Sequence, residues 1–520
     1  MAIQTMSRRS GVPSVKLNAA ANLSARVWTA LVHLAFVPLY VRYLGIEAFG
    51  LIGVFASLLA LMALLDLGLS TTLNRELARF SGEARDPSEA RDLVRTLETL
   101  YWPIALAIGV SVALAAPFIA HDWVRAVRLE PAAVEHAVAL MGLTIALQWP
   151  ASLYAGGLMG LQRQVLLAGI NAGVATLRAV GAVLVLAFYD NSIEAFFWWQ
   201  AAMSAAQTAI GGGALWLNLP RSAQAPHFRR RILAAVWRLA AGMAAISALA
   251  VVLTQLDKII LVKLLPLEEF GYYSLAWTLA TGLYFIIGPL YSALFPRFTQ
   301  LVAEENESAL RSLYHEGCQS MSVALLPAAA VIALFPAELM QLWTGDASLA
   351  RHSQLLLSLL IMGTAMNGLM SLPTALQLAY GWTRLGVVTN LVAVAALVPL
   401  ILFMTARFGA AGGASAWLML NGGYVMLVVP LMHRRILRGE QWRWYAVDVA
   451  LPLIAALAVA GGCRWLFDQW GGQGLPRLGL LACLTAAGLF TIIAAAVAAP
   501  AVRARLASAV FSQGSRSTSA

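Results

Sequence analysis

Near the start of the chain, five polar side chains keep a helical spacing. Asn18, Asn22, Arg26, Thr29 and His33 are separated by steps of four, four, three and four, which places them on one face of an α-helix. A guanidinium on such a face can pair with a phosphate through two parallel hydrogen bonds and keeps its charge. A second arginine, Arg178, follows Asn171 by seven residues and shares its face. Thr364, Asn367, Ser371 and Thr374 recur at steps of three, four and three, a row of neutral donors and acceptors suited to hydroxyl-rich ligands. The adjacent pair Asp257 and Lys258 closes an apolar run. On a helix the two point about 100° apart, so they address different neighbours, with Ser247 and Thr254 on the face of Lys258. Asp66, in LLDLGLS, reads either as the counter-charge of one of these arginines or as a structural carboxylate held by hydroxyls and backbone.

These groups are set in a chain where charge is scarce. Its 520 residues are 60% hydrophobic and 12% charged, with a mean hydropathy of +0.75; soluble domains carry about twice that charged fraction. Apolar runs of about 20 residues recur throughout, each able to cross roughly 30 Å of hydrocarbon as a helix. Alternating strand patterns are absent, which argues against an outer-membrane barrel. The expected fold is an all-α polytopic membrane protein with about 14 transmembrane helices, beginning near residues 19, 48, 99, 136, 165, 193, 238, 270, 319, 354, 385, 412, 446 and 477.

The net charge of +10 comes from arginines in short loops between these runs, where they set topology and do not call for nucleic acid. With the N-terminus inside, cytoplasmic segments carry roughly three times as many Lys and Arg as the opposite face, which predicts both termini in the cytoplasm. The basic N-terminus has no cleavage-like site, so the first run is expected to be a retained helix. Segments 75–97 and 297–317 are charged and suggest amphipathic surface helices, and the tail SQGSRSTSA suggests disorder. Cys318, Cys463 and Cys483 have no metal-site spacing.

Ionisable groups at membrane depth are functional candidates because they usually face a bundle interior or a wet cavity. Each has a plainer alternative. Arg26 is close enough to the cytoplasmic interface to snorkel there, and Lys258 can reach the periplasmic headgroups. The Thr364–Thr374 row can serve helix–helix hydrogen bonding. Most tryptophans fit an interfacial belt, while Trp149 and Trp277 lie deeper, in core packing or against sugar rings.

The sequence also repeats itself. LGIEAFGLIG (44–53) and LPLEEFGYYS (265–274) share Leu, Glu, Phe and Gly at a spacing of 221 residues. The same spacing pairs Gly160 and Arg163 with Gly381 and Arg384, and Asn171 pairs with Asn390 at 219. Two homologous six-helix lobes are therefore expected, over 1–235 and 236–440, with two further helices and a tail over 441–520. An even number of spans per repeat gives the lobes one orientation and a pseudo-two-fold axis along the membrane normal. Asp257 and Lys258 align with Phe36 and Val37, so the charged pair belongs to the second copy alone.

The stretches YLGIEAFGLIGVFASLLALMALLDLGLS, TQLDKIILVKLLPLEEFGYYSLAWTLA and YSALFPRFTQL resemble the polysaccharide-transporter branch of the multidrug/oligosaccharidyl-lipid/polysaccharide exporter superfamily, nearest to the flippases of O-antigen and exopolysaccharide repeat units. The resemblance implies two lobes around a central cavity and alternating access. The implied cargo is an oligosaccharide on undecaprenyl pyrophosphate, moved to the periplasmic leaflet of the bacterial inner membrane. Asn22, Arg26, Thr29, Arg178, Lys258, Asn367 and Ser371 become the candidate cargo contacts. In some relatives a carboxylate on the seventh helix binds the coupling cation, which makes Asp257, completed by Asn390 and Ser415, the candidate site for Na+ or H+. No other cofactor is implied. The partners implied are the glycolipid, membrane lipids, a polysaccharide polymerase and a chain-length regulator.

A lipid II flippase shares the span count and cationic cavity and stays open as an alternative. A multidrug exporter fits less well, with about twelve spans and a more apolar or acidic cavity. An integral-membrane glycosyltransferase or polymerase would need convergent acid and base groups, and the chain has no DxD, HExxH or GxSxG and no long outer loop.

Overall fold

The computed structural model describes residues 15–66, 68–80, 86–231, 255–471, 474–505 and 508. They are mostly helical, with irregular connections such as 124–130 and 219–229, and the described residues contain no strand beyond one isolated bridge between Arg125 and Pro266. Two compact units form, Met1–Gly271 and Tyr272–Ala520. This division lies beyond the 235/236 boundary expected from the repeat, and most of the seventh span, 232–254, with Ser247 and Thr254, lies outside the described residues.

Unit 1 contains α1 (Val15–Leu44), α2 (Ile46–Met62), α3 (Leu69–Phe80), α4 (Pro87–Phe118), α5 (Pro131–Gln148), α6 (Ala151–Gly160), α7 (Gln164–Phe188) and α8 (Ile193–Asn218). It also holds α9 (255–264) and the first turn of α10 (Leu267–Ala280). Of the surface helix expected at 75–97, residues 75–80 end the amphipathic α3, whose Leu69, Leu73 and Leu77 are buried, while residues 87–97 begin the long α4. Asp86 starts α4 as an N-cap, with its side chain accepting from the Ser88 backbone N–H at 2.9 Å. That bond holds the Asp86 carboxyl below the usual carboxylate range. Ser192 caps α8 in the same way.

Unit 2 contains the rest of α10, then α11 (Tyr284–Ala303), α12 (Glu307–Leu334), α13 (Pro336–Thr344), α14 (Ala347–Leu369), α15 (Ser371–Ala379), α16 (Thr383–Gly423), α17 (Val429–His433), α18 (Gln441–Arg443), α19 (Leu451–Gln469) and α20 (Arg477–Ala498). The expected surface helix at 297–317 is instead the end of α11 and the start of α12, two long helices that run past the apolar runs and leave only residues 304–306 between them. Helix α16 covers two expected spans and breaks at Gly409, whose φ of 56° and ψ of −139° only glycine adopts freely. Helices α19 and α20, outside the repeat, dock on α12 and α13 through Phe335, Phe467, Leu480 and Leu484 at one level and Ala330, Ala456 and Ala460 at another.

Ten described helices are long and apolar enough to cross a membrane, with the shorter apolar Ile46–Met62 besides. The long α16 and the masked seventh span keep this number from mapping one to one on the fourteen expected runs.

The repeated segments meet inside unit 1. A Cβ added to Gly50 would lie 2.6 Å from the Leu267 carbonyl oxygen, and one added to Gly271 would lie 2.2 Å from that of Ile46. Each glycine thus lets its helix touch the backbone of the other copy. Segment 124–130 straps over this crossing. Glu47 accepts from the backbone N–H groups of Val127 and Arg128 at 2.5 and 2.9 Å, and the Arg128 guanidinium reaches Glu268 at 3.3 Å. Glu268 is the repeat equivalent of Glu47, so one loop residue joins both.

Candidate functional site

In unit 1 the polar chemistry converges on Arg178, in the middle of α7. Its Nη1 donates to Gln148 Oε1 at 3.2 Å and Gln200 Oε1 at 3.5 Å, and its Nη2 to Ser204 Oγ at 3.3 Å and Gln207 Oε1 at 3.0 Å. Every acceptor is neutral, and among the described residues no carboxylate pairs with it. A guanidinium held this way is oriented but keeps its net charge, which suits it to an anionic group. Gln200, Ser204 and Gln207 step by four and three along α8, a signal that was present in the sequence but carried no charge to draw attention.

Helix α1 packs against α7. The Asn22 amide donates to Gln164 Oε1 at 2.7 Å and the Trp28 indole to Thr176 Oγ1 at 2.9 Å. The first polar stripe is graded in exposure: Asn18 is buried, Asn22 and Thr29 are half-buried, Arg26 and His33 are exposed. Arg26 has no ion pair among the described residues. Asp66 is not the counter-charge of an arginine. It accepts from the Tyr101 hydroxyl and from Ser70 Oγ at 2.8 Å, while Trp149 stacks on Tyr101 at 4.4 Å as a core residue.

Asp257 and Lys258 depart from expectation. They pair with each other, which their angular separation on the helix did not suggest: Lys258 Nζ donates to both oxygens of Asp257, at 3.2 and 3.3 Å. The four-carbon lysine stem is long enough to fold back across the helix surface. Lys258 does not reach the headgroups, since it is 6% exposed and Asp257 is 2% exposed. Lys258 also borders an apolar cavity of about 280 Å³ whose walls include Val54, Leu58, Phe118 and Trp123.

Asn390 and Ser415 do not complete one site. Asn390 lies 19 residues before the break at Gly409 and Ser415 six after it. At about 1.5 Å per residue these are roughly 28 and 9 Å from the break, so the two side chains are held about 20 Å apart. Asn390 instead accepts from the Tyr424 hydroxyl at 2.8 Å.

The second polar stripe is also altered. A turn at Met370 separates α14 from α15. Thr364, Ser371 and Thr374 spend their hydroxyl protons on carbonyls of their own helical turns. Asn367 crosses between helices, with Nδ2 donating to Asn421 Oδ1 at 2.9 Å and Oδ1 accepting from the Tyr284 hydroxyl at 3.0 Å, and Thr364 Oγ1 accepts from the Trp417 indole N–H at 3.3 Å.

Unit 2 also holds a buried charged cluster around His315. His315 is buried with Nδ1 2.5 Å from Asp448 and Nε2 3.1 Å from Glu440. Gln319 donates to Asp448 at 2.9 Å and accepts from the Ala501 backbone at 2.8 Å. The cluster ties α12 to the segments flanking α19 and α20, beside a cavity of about 360 Å³. No grouping of three or more metal-ligating side chains occurs among the described residues.

Comparison with known proteins places this geometry in context. Residues 15–302 match the family model described as polysaccharide biosynthesis protein, and residues 243–403 match the MatE model. A putative O-antigen transporter of Shigella flexneri is 20% identical over 407 residues, covering 78% of this chain and 94% of that protein. The lipid II flippase MurJ in an inward closed conformation aligns with a TM-score of 0.67 at 9% identity, over 92% of this chain and 98% of that one. An inward-facing multidrug resistance transporter of the MATE family aligns with a TM-score of 0.62 at 16% identity, over 80% and 98%. At these identities the structural likenesses establish the shared fold.

Proposed function

Because the chain belongs to the polysaccharide biosynthesis protein family, in the polysaccharide-transporter branch of the multidrug/oligosaccharidyl-lipid/polysaccharide exporter superfamily, we propose that this transporter flips an undecaprenyl-pyrophosphate-linked oligosaccharide repeat unit. The movement runs from the cytoplasmic to the periplasmic leaflet of the bacterial inner membrane, for surface polysaccharide synthesis. The observation that carries the reading is Arg178, a cation at membrane depth held by four neutral oxygens. A site for cationic drugs would need the opposite sign, whereas a diphosphate needs a fixed donor with unspent charge. Arg26, exposed on α1, is the second cation assigned to the diphosphate. Coupling to Na+ or H+ is assigned to Asp257, with Lys258 as the cation that already occupies its carboxylate.

The test is deletion of the gene followed by analysis of lipid-linked saccharides on the inner face of the membrane. One undecaprenyl-pyrophosphate oligosaccharide should accumulate, and surface polymer should be lost. Accumulation of lipid II would favour the peptidoglycan precursor as cargo. Altered drug sensitivity with no accumulation would favour multidrug export.

A further inference from the structure

Gln200 and Asn421 each lie in the last span expected of their lobe. In unit 1 the Gln200 amide oxygen faces the Arg178 guanidinium at 3.5 Å. In unit 2 the Asn421 amide oxygen faces the Asn367 amide at 2.9 Å. At the spacing that pairs Asn171 with Asn390, Arg178 corresponds to Leu397, which is 1% exposed. The duplicated scaffold therefore carries a cation in one copy, while in the other an apolar residue takes its place and the amides bond directly.

The amide of Asn367 is fixed by residues of two other helices. Tyr284 on α11 donates to its oxygen, Asn421 on α16 accepts from its nitrogen, and Asn421 is itself anchored by donating to the Trp417 carbonyl at 2.8 Å. Trp417 is pinned through its indole N–H to Thr364 at 3.3 Å and packs edge-to-face on Trp277 at 5.2 Å. One N–H and one oxygen lone pair of Asn367 have no assigned partner among the described residues. A half-buried asparagine offering a donor and an acceptor side by side matches neighbouring sugar hydroxyls. The half-buried indole of Trp277 adds an apolar face of the kind that packs on a sugar ring.

We propose that Asn367, oriented by Tyr284 and Asn421 and with Trp277 nearby, is a neutral subsite in unit 2 for the uncharged, hydroxyl-rich saccharide of the cargo, which rests on the flippase reading above. The charge-bearing chemistry belongs to Arg178 in unit 1.

The experiment uses the lipid-linked oligosaccharide that accumulates in a strain lacking the gene, either intact or trimmed to its first sugar, with the full-length protein in proteoliposomes. Asn367→Ala and Tyr284→Phe should each slow the intact lipid about tenfold, as expected for one lost hydrogen bond to a bound ligand, and slow the trimmed lipid by less than twofold. Equal slowing of both lipids assigns the network to helix packing and overturns the subsite. Should Asn367→Ala fail to fold, Tyr284→Phe, which removes one oxygen and keeps the ring, decides the matter alone. A wild type that moves neither lipid overturns the flippase reading and the subsite with it. A wild type that moves both, beside variants with wild-type selectivity, overturns only the subsite.

Discussion

Arg178 and Asp66 are both ionisable groups in apolar helices, yet their surroundings give them opposite roles. Asp66 accepts hydroxyl protons from Tyr101 and Ser70, and it joins the chain between α2 and α3 to α4. Arg178 has its donors aimed at amide and hydroxyl oxygens that leave its charge unspent. Tyr101→Phe should therefore lower the melting temperature of the detergent-solubilised protein, by the equivalent of about 1–3 kcal/mol for a hydrogen bond lost to a half-buried carboxylate. It should leave export per folded molecule intact. Arg178→Gln should do the reverse, with near-normal melting and export reduced at least tenfold, because its neutral neighbours accept a neutral replacement. Equal loss of stability in the two variants would remove the distinction. Charge in an apolar run singled out Arg26, Arg178 and Asp257 in the sequence as candidates. The Gln200, Ser204 and Gln207 row was not, because a short neutral row is ordinary helix-packing chemistry. The pairing of Lys258 with Asp257 was hidden by side-chain length, which backbone angles ignore.

At the scale of elements, length and apolarity were enough to place most helices, while their breaks were not readable. The turn at Met370 moves Ser371 onto a new helix, and the break at Gly409 keeps Asn390 far from Ser415; periodicity assumes a straight axis and fails where the axis changes. The repeat was readable and had a physical purpose that spacing alone did not reveal. Gly50 and Gly271 each allow backbone contact with the other copy. Gly50→Ala or Gly271→Ala should each cost about 1–3 kcal/mol, because a rigid carbonyl cannot yield to the added methyl. Gly288→Ala, with open space at its Cβ, should be neutral or stabilising as helix propensity improves. Thermal melting of the three variants checks this, and an unchanged melting temperature for Gly271→Ala would mean that the crossing is looser than drawn.

For the whole molecule, the prediction concerns the driving ion. Asp257 lies in a buried pair whose cation is part of the chain, so an exchanging ion must compete with Lys258. Asp257→Asn should abolish any dependence of export on the Na+ gradient or on pH, measured in proteoliposomes with imposed gradients. Retention of that dependence would move coupling elsewhere. The reciprocal glycine contact has a broader consequence. Ile46 meets the equivalent of Gly50, and Gly50 meets the equivalent of Ile46, which is the isologous pattern by which two identical subunits form a homodimer. A half-length chain bearing this segment would pair with its own copy through the same surface. Identical subunits must place the same residue at both equivalent positions. Fusing them into one polypeptide lifts that restriction, and so permits an arginine at 178 opposite a leucine at 397, and a charged pair at 257–258 opposite Phe36 and Val37.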